Sequence, residues 1–433
     1  MSVSWSCVYA TQLFYWYGLG GIWLITVPWV LALSAIYYLS AKYRQLPVFS
    51  QPEMAEMRYG KKGKIIIALA LAFVFLIWGG AEVYIAAILL APITPLSPFT
   101  AITIIVLIVG IYSLFGGFKA VISTDKLQYI LVGLYIVIVA VLGIVAVNST
   151  GINVEELFTR IPAKSTVPWH HLFSPGIGLI GLTLLAYLPG WIFETDLWVR
   201  IQAARDPRQA RKGVIISIIN SILFVGVFPL IVASAALLLF PPEHGNMPGI
   251  FGNEGDQIFT AITKLSAPVW LLPIISLGFI AASMSTIDTC VHVVSLSLGY
   301  DLFGRNQDQV KGKTHNYFFI GITIFLTWLF AINTESLWDL FYLSSGILST
   351  TVALPMLGVY WKKLPAGPVM WSSVFGFITT IFAYVLDTSG SLAWLEPTWI
   401  QGSGLGYILW GMLAALIALI IGIGVVKHRG EVS

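Results

Sequence analysis

The chain has 433 residues, of which 58% are hydrophobic and 10% charged, with a net charge of +3. A soluble globular chain carries roughly 25% charged residues, so water alone is excluded as the solvent, and a charge this small and scattered excludes nucleic acid as a partner. Two cysteines, Cys7 and Cys290, exclude a disulfide framework and a cysteine metal site.

A helix crosses a bilayer with about 20 apolar residues. Eleven stretches qualify: 17–40, 65–91, 98–116, 127–147, 175–196, 213–240, 268–300, 317–333, 337–360, 367–387 and 404–426. The runs are continuous and do not alternate at period two, which excludes a barrel and predicts an all-α polytopic membrane protein. No Lys or Arg precedes Lys42, so the start lacks the basic region of a cleaved signal peptide.

The loops alternate in charge. Those near 41–64, 117–126, 197–212, 301–316 and 361–366, with the tail, hold 20 of the 23 Lys and Arg. The other side carries only Arg160, Lys164 and Lys264, beside acids such as Glu155, Glu243, Asp256, Asp339 and Glu396. The positive-inside rule predicts an outside N-terminus and a cytoplasmic C-terminus. Trp16, Tyr17, Tyr360 and Trp361 read first as interface anchors.

Ionisable groups inside spans mark pathways or sites. Glu82 lies in the second stretch, after Trp78-Gly79-Gly80-Ala81. The fifth stretch carries Leu188-Pro189-Gly190-Trp191, then Glu194 and Asp196. Proline removes a donor and glycine permits a bend, so Pro189 and Gly190 predict a hinge in a broken helix, the kind of element that forms transporter sites. Asp196 stands four residues before Arg200, the spacing of a helical ion pair.

The seventh stretch contains Ala281-Ala282-Ser283-Met284-Ser285-Thr286-Ile287-Asp288-Thr289. Ala282, Ser285 and Thr286 fall at i, i+3 and i+4, on one helical face. One carbonyl and two hydroxyls offer the oxygen ligands that hard cations favour; the rival reading is hydroxyl glue between helices. Asp288 adds charge nearby. His170 and His171 sit in an outer loop, and no nucleophile, metal or phosphate motif has its context, so an enzyme is not expected.

Three segments then resemble the sodium/solute symporter family. The first is Gly116-Gly117, Ala120-Val121, Thr124-Asp125 and Gln128; the second is Trp198-Val199-Arg200-Ile201-Gln202-Ala203-Ala204-Arg205-Asp206; the third runs from Ala282 to Tyr300-Asp301-Leu302-Phe303. Pro52-Glu53 with Arg58-Tyr59-Gly60 is a weaker fourth. The resemblance implies a LeuT-type core of five plus five helices in inverted repeat and two extra C-terminal helices. It implies Na⁺ at Ala282 (by its carbonyl), Ser285 and Thr286, ion coupling through Asp125, and Trp191 beside the solute. Glu194 is the nearest polar candidate, and Asp288 joins Asp125 as an ion-coupling candidate. The family usually has thirteen spans, so two are expected to be missing here. The reading is one transporter domain over 1–433, with 1–16 a remnant of the first core helix, 17–361 the core and 366–433 the flanking helices and tail.

The expected function is Na⁺-coupled symport of a small organic solute by alternating access across a bacterial-type inner membrane. An aromatic beside acids suits a cation or an amino group. Rival readings are a transporter-fold sensor, an inactive truncated homologue and a proton-coupled carrier. Solute identity and oligomeric state are not encoded in these motifs.

Overall fold

The computed structural model describes residues 4–428 apart from 47, 49, 92–93, 244, 253–254, 304–312, 335, 362, 392–393, 395 and 401–402, and omits the side chains of 4–6, 112, 115–125 and 313–316. Its regular elements are helices: α1 (Ser4–Tyr17), α2 (Thr26–Gln45), α3 (Gln51–Leu90), α4 (Pro98–Thr150), α5 (Ile177–Trp191), α6 (Thr195–Ala203), α7 (Pro207–Ile222), α8 (Phe228–Leu239), α9 (Ile258–Ser266), α10 (Leu272–Leu296), α11 (Lys313–Ile332), α12 (Leu337–Ile347), α13 (Ala353–Tyr360), α14 (Ala366–Thr388) and α15 (Gly406–His428). Wider π-helical turns join α7 to α8 (Leu223–Val227) and α12 to α13 (Leu348–Val352), and extend α10 over Ser297–Leu302.

Among the described residues, nine helical stretches are long and apolar enough to span a bilayer, and the shorter apolar helices Pro98–Ile111 and Tyr317–Ile332 lie on the remaining two predicted stretches. One detail departs from expectation. The link at 117–126 is helical, so α4 runs unbroken for 53 residues. Nothing after Pro98 in this run is a proline, and two glycines alone do not end a helix.

The capping residues follow from the sequence. Ser50 accepts from the Glu53 amide at the start of α3, Ser97 from Thr100 at α4, Asp206 from Gln209 at α7 and Ser336 from Asp339 at α12. The 40 residues of α3 would reach about 60 Å if straight, twice the hydrocarbon core. Gly60, at φ 69°, breaks the run, a conformation that an L side chain resists. The segment before it turns aside, and the remainder spans.

Packing places α3, α4 and α10 together, α2 against α7, and α14 against α15 as a hairpin. The segment expected as a helix remnant is α1, whose Tyr9, Leu13, Tyr15 and Trp16 are wholly buried. Conversely Leu107, Ile144, Ile219, Phe382 and Ile420 are more than a third exposed. An apolar outer surface with buried polar groups is the arrangement lipid demands of a multi-pass protein.

Side-chain ties gather the two classes of loop separately. At the basic end Arg44 donates to the Ala204 carbonyl, Arg58 to Leu364, and Ser50 to Asp301 at 2.6 Å, while Tyr300 donates to Glu53 at 3.2 Å. The family-like segments at 52–60 and 300–303 therefore meet. At the acidic end the Leu19 amide donates to Trp169, Tyr15 donates to Phe240, and the Lys164 ammonium sits 3.2 Å over the Trp16 ring.

Candidate functional site

The site begins with a defect in α5. Pro189 supplies no amide hydrogen, and the Gly190 amide is tied to a hydroxyl from another helix. The Gly190 N–H donates to Ser349 Oγ at 2.9 Å, and that hydroxyl donates to the Ala186 carbonyl at 2.6 Å. Ser349, from the π-turn Leu348–Val352, is thus inserted into the ladder of α5. A Cβ on Gly190 would lie 2.5 Å from Leu348 Cβ and 2.8 Å from the Ser349 amide nitrogen. Gly190→Ala is therefore expected to cost about 1–3 kcal/mol by overpacking. Loss of monodisperse folded protein on detergent size exclusion checks it; a wild-type profile and thermal midpoint would contradict it.

The helix itself ends later than the hinge Pro189 and Gly190 suggested. α5 continues to Trp191, and 192–194 form a turn that reaches extended backbone at Glu194 before α6 starts at Thr195. The proline ring and the inserted hydroxyl weaken the ladder without ending it, because Ile192 and Phe193 still find the carbonyls of Leu188 and Gly190. The buried amide of Gln51 then bridges the break, donating to the Phe193 carbonyl at 2.7 Å and accepting from the Thr195 hydroxyl.

Beside the break is a small, partly open cavity of about 20 Å³. One water needs roughly 10–15 Å³ by this measure, so the cavity admits one water-sized guest and no organic solute. Glu194, Asp196 and Arg200 line one wall, Ser285, Thr286, Thr289 and Cys290 the other, and Trp29, Phe75 and Trp78 close it. Asp196 and Arg200 pair at 2.6 Å as their spacing predicted, and Arg200 reaches across to Thr289 Oγ1 at 3.1 Å. Glu194 is only 6% exposed, and its Oε2 has no hydrogen-bond partner among the described residues.

On α10 the predicted face is present. Thr286 donates to the Ala282 carbonyl at 3.5 Å and Thr289 to that of Ser285 at 3.1 Å. A hydroxyl that donates into its own helix turns acceptor lone pairs outward, which is cation-ligand chemistry. Ala282 is buried one turn from the cavity and does not line it. Asp288 does not line it either. That carboxylate is buried against α4, where Ser113 donates to it at 3.0 Å. The side chain of Asp125 lies outside the described residues.

Trp191 is occupied rather than open. It is wholly buried, stacked on Trp29 at 4.4 Å and on Tyr187 at 4.3 Å, edge-on to Phe341, and donates to Ser345 Oγ at 3.1 Å. Trp78 donates likewise to Ser344 at 2.7 Å. Sequence reasoning missed Trp29, Trp78 and Thr289 as parts of this wall. Thr289 had a signal, being at i+4 from Ser285; the tryptophans come from other helices and had none.

Comparison with known proteins bears on the family and the fold. A family model described as the sodium:solute symporter family matches residues 2–376. The chain is similar to the sodium/sialic acid symporter SiaT of Proteus mirabilis, 21% identical over 421 residues, covering 92% of this chain and 80% of the relative. It is also similar to a sodium/proline symporter of Haemophilus influenzae, 22% identical, covering 80% of this chain and 69% of that one. Among solved structures, a substrate-bound, outward-open Na⁺-coupled sialic acid symporter superposes with a TM-score of 0.67 at 18% identity, over 96% of this chain and 89% of the other. The LeuT-type fold is shared.

Proposed function

We propose, for a chain that belongs to the sodium:solute symporter family, that Na⁺ is the coupling ion, held on α10 by Ser285 and Thr286 at the cavity wall, with the Ala282 carbonyl one turn away as a third ligand that the Thr286 hydroxyl releases when the ion binds. The protein is a multi-pass membrane transporter and not an enzyme. The observation that carries the sodium assignment is the cavity itself, which matches one ion in size and has two predicted hydroxyls and two carboxylates on its walls. Na⁺ is cargo here, bound on one side and released on the other.

The mechanism follows from the connections around that cavity. Asp196, Arg200 and Thr289 link α6 to α10 on one side of it. The stack of Trp29, Trp191 and Tyr187 closes the space beside it. A solute enters only when that stack parts, and Trp191 with Glu194 then forms its contact surface. The break at 192–194 lets α6 move against α5, while Gln51 satisfies the freed backbone in the closed state. Each ligand must raise the affinity of the other, because the linkage is reciprocal. Asp288, which lies away from the cavity wall, and Asp125 are assigned to ion coupling. The basic loops face the cytoplasm and the N-terminus faces outward across the inner membrane.

The test is uptake into proteoliposomes holding the purified chain, under an inward Na⁺ gradient against K⁺ and pH gradients, with amines, amino acids, sugars and carboxylates as labelled solutes. Accumulation is expected with Na⁺ alone. Accumulation driven by pH would reassign the ion, and none with any gradient would leave the transport reading without support.

A further inference from the structure

We infer that the solute carried by this protein bears a cationic nitrogen, which pairs with Glu194 at the mouth of the cavity; this rests on the placement of the solute beside Trp191 and Glu194. The argument is one of charge and of unfilled hydrogen-bonding capacity. Two carboxylates line the cavity, Glu194 and Asp196, and among the described residues one cation, Arg200. That cation is committed: it holds Asp196 at 2.6 Å and donates to Thr289 at 3.1 Å. Glu194 is left with Oε2 buried and without a hydrogen-bond partner among the described residues. It stands at the first position before α6 yet makes no side-chain capping bond to that helix.

A carboxylate out of water needs a charged or hydrogen-bonding partner. Its surroundings supply the rest of a cation's requirements. Trp29 and Trp78 line the same space, and indole faces attract organic cations. The indole nitrogen of Trp29 is buried and without a partner among the described residues. This uncharged donor suits an acceptor oxygen on the solute and does not neutralise a carboxylate. A solute carboxylate would have to take Arg200 from Asp196, leaving two uncompensated acids. An amine or quaternary ammonium that also carries a hydroxyl or carbonyl oxygen meets every unfilled group. The cavity has room for the coupling ion alone; the ammonium and the remainder of the solute occupy the space that opens beside Glu194 when Trp29 and Trp191 separate.

The experiment measures thermal stabilisation of the purified full chain, first by Na⁺ alone and then, in saturating Na⁺, by choline, ethanolamine, proline, sialic acid and glucose. The expected result is stabilisation by a probe with a cationic nitrogen, weakened roughly 10- to 100-fold in apparent affinity by Glu194→Gln and much less by Glu194→Asp, which keeps the charge. Stabilisation only by sialic acid or glucose, an amine response equal in Glu194→Gln and wild type, or a Na⁺ response with no amine response would overturn it. The Na⁺ arm separates the two readings. Without a Na⁺ response the sodium assignment falls, whatever the amines do. If Glu194→Gln abolishes the Na⁺ response and spares the amine, the ion at Glu194 is the coupling ion and the amine assignment is wrong.

Discussion

Replacing Ser285 and Thr286 together by alanine is expected to raise the half-saturating Na⁺ concentration for uptake by roughly 100-fold or more, with the protein still folded. A contact between a polar group and a charge is worth about 1.5–3 kcal/mol, and two such contacts on one ion approach the upper part of that effect without being strictly additive. The structural cost is small. Thr286 makes a long bond to the Ala282 carbonyl of its own helix, and hydroxyls that bond back into their own helix contribute little to its stability. The single change Ser285→Ala is expected to shift the Na⁺ dependence by about tenfold. Initial uptake rates against Na⁺ concentration in proteoliposomes decide it, with fluorescence size exclusion reporting folding. A half-saturation within twofold of wild type in the double variant would remove both hydroxyls from the ion site and return them to the role of interhelical glue.

Arg200→Met is expected to destabilise the fold by about 2–3 kcal/mol, and the paired change Arg200→Met with Asp196→Asn to recover most of that loss. Removing one member of a buried ion pair costs about 3–5 kcal/mol, because the other charge stays buried. The Arg200 side chain is 37% exposed and that of Asp196 8%, so solvent screens the arginine and lowers the figure. Asp196→Asn removes the stranded charge, which is why the second change repairs the first. Reversible unfolding in mixed micelles gives the four corners of the cycle. A double variant less stable than Arg200→Met alone would show that the pair is not the main contribution of Arg200, and would shift weight to its bond with Thr289.

Sequence determined the class of the molecule and several local features. Hydrophobic runs, loop charges and the absence of period-two alternation require helices in lipid, because only a closed helical ladder satisfies the backbone there. The caps at Ser50, Ser97, Asp206 and Ser336 were set by side chains within three residues of the amides they accept. The Asp196 and Arg200 pair and the hydroxyl face of α10 were legible for the same reason: helical periodicity converts spacing into proximity. What joins different helices was not legible. No local pattern places Ser349 inside the ladder of α5, Gln51 across the break at 192–194, or Trp29 against Trp191. Nor does spacing show that Asp288, two residues from Thr286, turns toward Ser113 on α4 while its neighbour lines the cavity. These contacts join positions far apart in the chain, and they exist only once packing has fixed which faces meet. Pro189 and Gly190 marked the region of the break, but its position was decided by the tertiary partners that the freed backbone groups found.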